Sequence, residues 1–249
     1  ILIINSYFIK RFYQKKKKKK HFDYYKFDVY ATLTYYLIYY PVLYHLEKRN
    51  IFILHASSVI FEGQGILMPG LPGVGKSTLC LSFLSRKNSK FLSDNIVLYD
   101  SKNIYSFFEP LKLDQYGMGL VKFEKNLLVK VGADSYYGRN SFKLKENVSA
   151  DSVQPEILLI PIQSSKTDLT RISSEKAVQM SFDFNNIAGE VNSYLIYSSI
   201  QNISHGNDKI VQNRIESLRN LCSNMDCYKL SIKSGQPLDK VIAIIEASL

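Results

Sequence analysis

The feature that most constrains this chain is a glycine-rich segment, Gly70-Leu71-Pro72-Gly73-Val74-Gly75-Lys76-Ser77, which satisfies the spacing G-x-x-x-x-G-K-[ST]. The apolar run Gly65-Ile66-Leu67-Met68 before it predicts a strand, and the apolar residues between Ser77 and Leu84 predict a buried helix. Such a loop between a strand and the N-terminus of a helix is typical of phosphate-binding loops. We therefore expect an α/β fold with a P-loop domain.

Each fixed position of this segment has a mechanical reason. The glycines let the backbone wrap closely enough for successive N–H groups to point at phosphate oxygens. Lys76 reaches the β and γ phosphates, and the Ser77 hydroxyl binds magnesium. ATP and Mg2+ are therefore the expected cofactors. The predicted nucleotide-binding residues are Gly70, Leu71, Pro72, Gly73, Val74, Gly75, Lys76, Ser77 and Thr78.

Two other interpretations of the segment are a GTPase loop and a simple turn. The chain has no N-K-x-D base-reading motif, which argues against a GTPase. A glycine-rich turn that merely joins a strand to a helix stays open as an alternative.

The remaining elements follow from the hydrophobic pattern. It predicts helices at about 29 to 47, from Ser173 or Ser174 to about Phe182, at 209 to 223 and at 238 to 248. Strands are predicted between Ile51 and Met68 around a turn at Glu62 to Gly65, and near 90–92, 96–99, 104–108, 156–162 and 228–232. The polar residues from Gly132 to Gln154 predict loops. Strands that alternate with helices favour a covered sheet.

Three further motifs carry a family resemblance. Leu54-His55-Ala56-Ser57 places a histidine fifteen residues before Gly70, and Phe91-Leu92-Ser93-Asp94-Asn95-Ile96-Val97-Leu98 follows the predicted loop helix. Phe107-Phe108-Glu109-Pro110-Leu111-Lys112-Leu113 has the spacing aromatic-x-P-x-x-L. Together these motifs resemble the catalytic domain of the HPr kinase/phosphorylase family, which is similar to phosphoenolpyruvate carboxykinases. The resemblance spans about 50 to 249, with its motifs between 55 and 113.

The resemblance implies a P-loop domain with a mixed, helix-covered sheet and an ATP-dependent kinase that phosphorylates a serine hydroxyl. It implies that Asp94 is the general base, with Lys76 at the phosphates and Ser77 and Asn95 at the magnesium positions. His55 would lie beside Asp94 and the γ phosphate. A histidine that merely caps a strand end, and an aspartate that merely forms a turn, are the simpler alternatives.

The chain departs from this family in two places. Asn95 stands where the family has a second aspartate, and an amide carbonyl binds magnesium more weakly than a carboxylate does. Asp94 itself, or Asp100 at the end of the run Ile96 to Tyr99, is then an alternative metal ligand. The family's glutamate-arginine-glycine segment has no counterpart, so HPr as the acceptor and phosphorolysis are not implied.

These departures favour another serine-bearing acceptor. Divergent relatives modify free serine or the C-terminal serine of peptides, so a protein, a peptide or a small molecule is the expected partner. The stretch from Gly132 to Gln154 is the candidate acceptor-binding lid, in which Arg139 is either a phosphate contact or a solvated loop residue. The alternative function is a regulatory module that binds ATP without chemistry. The family's hexamers also allow a homo-oligomer.

The positive charge of the chain is concentrated near its start. The net charge is +10, and Lys10, Arg11 and the run from Lys15 to Lys20 supply eight positive charges, which leaves +2 for the rest. We expect a solvated, mobile basic arm over 1–28 and a single kinase-like domain over 29–249. No specific nucleic-acid partner is expected, although an arm that touches RNA or an anionic membrane is an alternative.

Cysteine content and hydropathy indicate the cellular compartment in which the chain is expected. Three cysteines without a zinc-ligand pattern are expected to be free thiols in a reducing cytoplasm, with Cys80 on a core-facing helix. The uncharged stretch from Val29 to Tyr44 is short for a membrane span and contains Pro41 and six tyrosines. We expect a helix there that is at least half-buried, and no transmembrane span.

Overall fold

A computed structural model describes residues 29, 32–107, 109–114, 127–134, 139–145, 148–205 and 209–247. The basic arm over 1–28, Phe108 and parts of the predicted lid lie outside these residues. The chain divides into two compact units, Ile1–His45 and Leu46–Leu249. The division between a basic arm and a single kinase-like domain stays a prediction.

The described part of the first unit is helical. A π-helix over Tyr35–Tyr39 leads into helix α1 at Tyr40–Glu47, which crosses the boundary between the units. Pro41 has no N–H with which to bond the preceding turn, and the Tyr40 N–H donates to the carbonyl of Tyr35, five residues earlier. The helix predicted at about 29 to 47 is confirmed over the described residues 32–47, of which 35–39 form the π-helix. None of the helices in the described residues has the length and hydropathy to cross a membrane.

The second unit contains thirteen strands among its described residues. The strands are β1 Phe52–Leu54, β2 Ala56–Phe61, β3 Gln64–Pro69, β4 Ser89–Ser93, β5 Val97–Tyr99, β6 Ile104–Ser106, β7 Leu111–Asp114, β8 Leu128–Asp134, β9 Arg139–Leu144, β10 Ser152–Val153, β11 Pro155–Ser164, β12 Asp168–Arg171 and β13 Asp226–Lys233. Its helices are α2 Lys76–Leu84, α3 Ser174–Ile187, α4 Gly189–Ser204, α5 Ile210–Ser223 and α6 Leu238–Glu246.

The central sheet has six strands in the order β12-β13-β11-β3-β2-β4. Strand β11 is parallel to β13 and β3, whereas β2 is antiparallel to β3 and β4, and β12 is antiparallel to β13. Two smaller antiparallel sheets have the orders β1-β5-β6-β10 and β7-β9-β8. The expected mixed sheet is therefore confirmed.

Helices cover both faces of the central sheet because successive side chains of a strand point to opposite faces. Leu67 and Leu158 pack in one core cluster with residues of α3 and α5. The neighbouring residues Ile66 and Ile157 pack in a second cluster with residues of α2 and α6. The α/β class with a helix-covered mixed sheet follows from these two clusters. Cys80, Cys222 and Cys227 are buried free thiols, as expected.

The structure corrects several secondary-structure predictions. Strands β8 and β9 form where loops were expected beyond Gly132, and they pair with each other and, through β9, with β7. Strand β11 runs from Pro155 through Pro161 instead of ending at these prolines, since Pro161 lies beyond the last β11–β3 pair, Leu158 with Leu67. Strand β12 and helix α4 were not predicted. The helix that begins after Ser173 is confirmed but ends at Ile187, later than expected.

Candidate functional site

The glycine-rich loop, residues 70–77, connects β3 to α2 as the sequence predicts. Gly73 and Gly75 adopt φ values of 79° and 100°, which L side chains rarely adopt. A Cβ on Gly70 would lie 3.2 Å from Val74 Cγ1, which is a tight contact. The N-terminal N–H groups of α2 have no partner within the helix, and the helix dipole makes this end attractive to anions. The glycine-rich loop thus leads directly into a helix N-terminus that begins at Lys76.

Lys76, the first residue of α2, folds back over the entrance of this loop. Its Nζ donates hydrogen bonds of 2.9 Å to the carbonyl oxygens of Gly70 and Leu71. Only 6% of the residue is exposed. Burial lowers the pKa of Lys76 to about 8, against the opposing effect of the nearby Asp94 carboxylate. The Lys76 amine therefore loses its positive charge at slightly alkaline pH.

Asp94 lies beside the start of α2 and accepts two hydroxyl hydrogen bonds at one oxygen. Ser77 Oγ donates to Asp94 Oδ1 over 3.0 Å, and Ser57 Oγ donates to the same oxygen. The register explains the second contact, because Ser58 of β2 pairs with Ser93 of β4 and so brings the preceding Ser57 close to Asp94. Asp94 and Ser57 are both buried. The carboxylate is thereby fixed against the predicted magnesium ligand Ser77.

Asn95 forms the centre of a strained turn next to Asp94. The Ile96 N–H donates to the Asp94 carbonyl over 2.9 Å, and Asn95 has a φ of 70°, which makes this a γ-turn of the rare, positive-φ kind. The side-chain Nδ2 of Asn95 donates to Glu109 Oε2 over 3.0 Å. The sequence predicts Asn95 as a metal ligand through its amide carbonyl, and its amide nitrogen contacts a second carboxylate, that of Glu109.

His55 occupies the bend between β1 and β2. Its backbone N–H donates to Asn185 Oδ1 over 2.7 Å, and Asn185 Nδ2 donates to the Ile53 carbonyl over 3.1 Å. Ala56 pairs with Pro69, so His55 leaves the central sheet beside Gly70. The side chain is buried. The histidine and the glycine-rich loop therefore lie at the same end of the sheet.

Asp100 belongs to a different feature, the turn between β5 and β6. Its carboxylate accepts hydrogen bonds from the N–H groups of Lys102 and Asn103 and from the hydroxyl of Tyr105, all within 2.7 Å. Although burial raises it, these hydrogen bonds hold the pKa of Asp100 below its usual value. These contacts stabilise the turn and account for an aspartate at this position.

The structure gathers most of the predicted site residues at one end of the central sheet. His55, the glycine-rich loop, Asp94 and Asn95 meet there. Sequence reasoning missed the roles of Ser57 and Glu109, although both lie within motifs that it singled out. It also missed Asn185, which lies 130 residues from His55 along the chain, so no local pattern pointed to it. Arg139 begins β9, on the small β7-β9-β8 sheet.

The oxygen donors at this site suit magnesium more than a metal with soft ligands. Within the described ranges, no group of three or more His, Cys, Asp or Glu residues is arranged to hold a metal ion. Magnesium usually takes only one or two protein carboxylates and completes its shell with substrate phosphates and water. The Ser77 hydroxyl and the Asp94 carboxylate form such a minimal set.

Comparisons with solved structures include a weak structural similarity. No protein-family profile matches the chain, and no curated protein matches it. A solved structure that it resembles is the Hpr(Ser) kinase/phosphatase from Coxiella burnetii, with a TM-score of 0.35 and 7% sequence identity over 79% of this chain and 95% of that chain. This degree of similarity does not assign the chain to a family.

Proposed function

We propose that this chain is an ATP-dependent phosphotransferase that transfers the γ-phosphoryl group to a serine hydroxyl. The observation that carries the proposal is the contact between Ser77 and Asp94 at the N-terminus of α2, directly after the glycine-rich loop. In P-loop enzymes a hydroxyl and a carboxylate in this relation hold the nucleotide's magnesium ion. The acceptor is a serine-bearing protein, a serine-bearing peptide or free serine.

In the proposed reaction, each residue of the site has a separate role in phosphoryl transfer. The backbone N–H groups of the glycine-rich loop bind the phosphates, and Lys76 exchanges its carbonyl partners for phosphate oxygens. Ser77 Oγ and Asp94 hold magnesium, which when bound neutralises charge that develops on the phosphate oxygens. Ser57 keeps the Asp94 carboxylate in place. His55 lies at the same end of the sheet and orients the transferring group.

The test is transfer of labelled γ-phosphate from ATP, with Mg2+ or Mn2+, to free serine, HPr and a pool of peptides that end in serine. We expect label on at least one acceptor. Asp94→Asn should lower the rate by at least about a hundredfold, because it removes a charged ligand and leaves the shape of the side chain. Asp183→Asn, a matched change at an exposed site on α3, should leave the rate unchanged.

Two results would contradict the proposal. ATP binding that Lys76→Ala abolishes, without transfer to any acceptor, identifies the regulatory module instead of a kinase. Absence of ATP binding would exclude both functions and reduce the glycine-rich loop to a structural turn.

A further inference from the structure

The contacts of Asp94 leave little room for it to act as the general base of the proposed reaction. Its Oδ1 already accepts hydrogen bonds from Ser57 and Ser77, and the residue is buried. A carboxylate that also binds magnesium has few lone pairs left for the proton of an acceptor hydroxyl. A second proton acceptor near Asp94 would separate the two tasks.

Glu109 provides a second carboxylate, which is held next to the turn at Asp94 and Asn95. Asn95, the residue directly after Asp94, donates its amide hydrogen to Glu109 Oε2 over 3.0 Å. Glu109 is partly exposed, whereas Asp94 is buried. An acceptor that approaches from solvent would therefore reach Glu109 before Asp94.

The backbone around Glu109 is fixed to the end of β4 by a second set of contacts. The Phe107 N–H donates to Ser93 Oγ over 3.0 Å, and the Glu109 N–H donates to the Phe107 carbonyl over 2.7 Å. The segment that carries Glu109 thus runs alongside the residues that carry Asp94. Backbone and side chain are both anchored to the 93–95 segment.

The backbone strain at Asn95 indicates a functional role for the turn beside Glu109. A residue other than glycine at a φ of 70° is uncommon, and strained residues cluster at active sites. Glycine would adopt this turn freely but would have no amide to donate to Glu109. An asparagine here gives the turn and the hydrogen bond together.

We propose that Glu109 is the general base of this site, an inference that rests on the proposed function. Its carboxylate removes the proton from the acceptor serine hydroxyl as the hydroxyl oxygen forms a bond to the γ-phosphorus. The bond from the γ-phosphorus to the bridging oxygen breaks, and ADP leaves with that electron pair. Protonated Glu109 then returns its proton to water. Asn95 is a positioning residue that aims the carboxylate, and Asp94 serves the metal.

The experiment measures phosphoryl transfer by the full chain, with the acceptor identified in the labelling assay. Glu109→Gln should lower kcat at least about a hundredfold and change the KM for ATP less than about twofold. Added formate should restore part of the rate of Glu109→Ala. Asn95→Gly should lower kcat while leaving the KM for ATP unchanged.

Matched controls separate this inference from the proposed function. Glu216→Gln, an exposed change on α5, should leave kcat and the KM for ATP unchanged. ATP binding by each variant verifies that it folds. Transfer by Glu109→Gln at the wild-type rate would overturn the role of Glu109 while the kinase proposal stands. Failure of the wild-type chain to label any acceptor would overturn both.

Discussion

Lys76 should take up a proton when ATP binds at alkaline pH. Burial lowers the pKa of Lys76 from 10.5 to about 8 in the free protein, against the opposing effect of Asp94. Phosphate oxygens within a few ångströms favour the charged amine and raise its pKa again. Nucleotide binding and protonation of Lys76 are therefore coupled.

The size of the effect follows from these two pKa values. At pH 9, roughly one Lys76 side chain in ten is protonated in the free protein, whereas nearly all are protonated if binding restores the ordinary value. We therefore expect uptake of about 0.9 protons per ATP at pH 9 and about 0.1 at pH 7. The affinity for ATP should fall about sixfold per pH unit between pH 8 and pH 10.

Isothermal titration calorimetry measures this uptake directly. ATP is titrated at pH 9 in two buffers with different enthalpies of ionisation, and the difference in observed heat gives the number of protons. The terminal phosphate of ATP is already deprotonated at this pH and adds no protons of its own. Lys76→Met keeps the length of the side chain and should remove the uptake. Tight binding with uptake below about 0.3 protons, or equal uptake in both proteins, would refute the coupling.

Two further predictions concern the backbone of the loop and a buried ion pair. Gly75→Ala should destabilise the protein by about 1–2 kcal/mol and weaken ATP binding, because its φ of 100° penalises a Cβ although no atom lies within 4 Å of it. Gly189→Ala, equally open but without a positive φ, is the control in urea unfolding, and equal losses would contradict the backbone explanation. Glu47→Gln should cost about 3–5 kcal/mol, since it leaves the buried Arg214 guanidinium without its carboxylate. Asp226→Asn, which breaks the exposed pair with Arg171, should cost about 1 kcal/mol or less, and a similar cost for both changes would refute the role of burial.

The local parts of the fold could be predicted because short-range chemistry determines them. The spacing of glycines, Lys76 and Ser77 requires a turn followed by a helix N-terminus, and α2 begins at Lys76. The turn at Glu62 and Gly63 is equally local, and β2 and β3 pair on either side of it. In each case the residues that determine the structure are adjacent in sequence.

Helix α4 could not be predicted because its buried face is partly polar. Ser198 and Asn202 are buried on that face beside Val191 and Tyr194, whereas Ile196, Ile200 and Ile203 are exposed. Ser198 and Tyr194 donate to the carboxylate of Glu47, and Arg214 donates to Ser198 Oγ over 2.7 Å and to Glu47. A buried polar network replaces apolar contacts, so hydrophobic periodicity gives the wrong face.

Strands β8 and β9 escaped prediction for a related reason. Strand β8 is partly apolar, whereas β9 is largely polar and lies between β7 and β8 in a three-stranded sheet. Phe142 pairs with Leu111 across one ladder, thirty-one positions earlier in the chain. Leu128, Phe142 and Leu144 pack in a cluster with Leu81 and Leu111. Contacts between segments that are distant in the sequence therefore stabilise these strands, through backbone pairing and through packing.

The roles of single side chains in the site could likewise not be predicted from the sequence. The motifs identified residues that meet at one end of the sheet, but contacts determine which task each can perform. Asp94 shares one oxygen between two hydroxyl groups, and Asn95 offers its amide to a glutamate fourteen residues away. A second aspartate at position 95 would place two carboxylates side by side, whereas Asn95 and Glu109 put the second carboxylate on a separate segment. In the proposed mechanism, one carboxylate then serves the metal and the other accepts a proton.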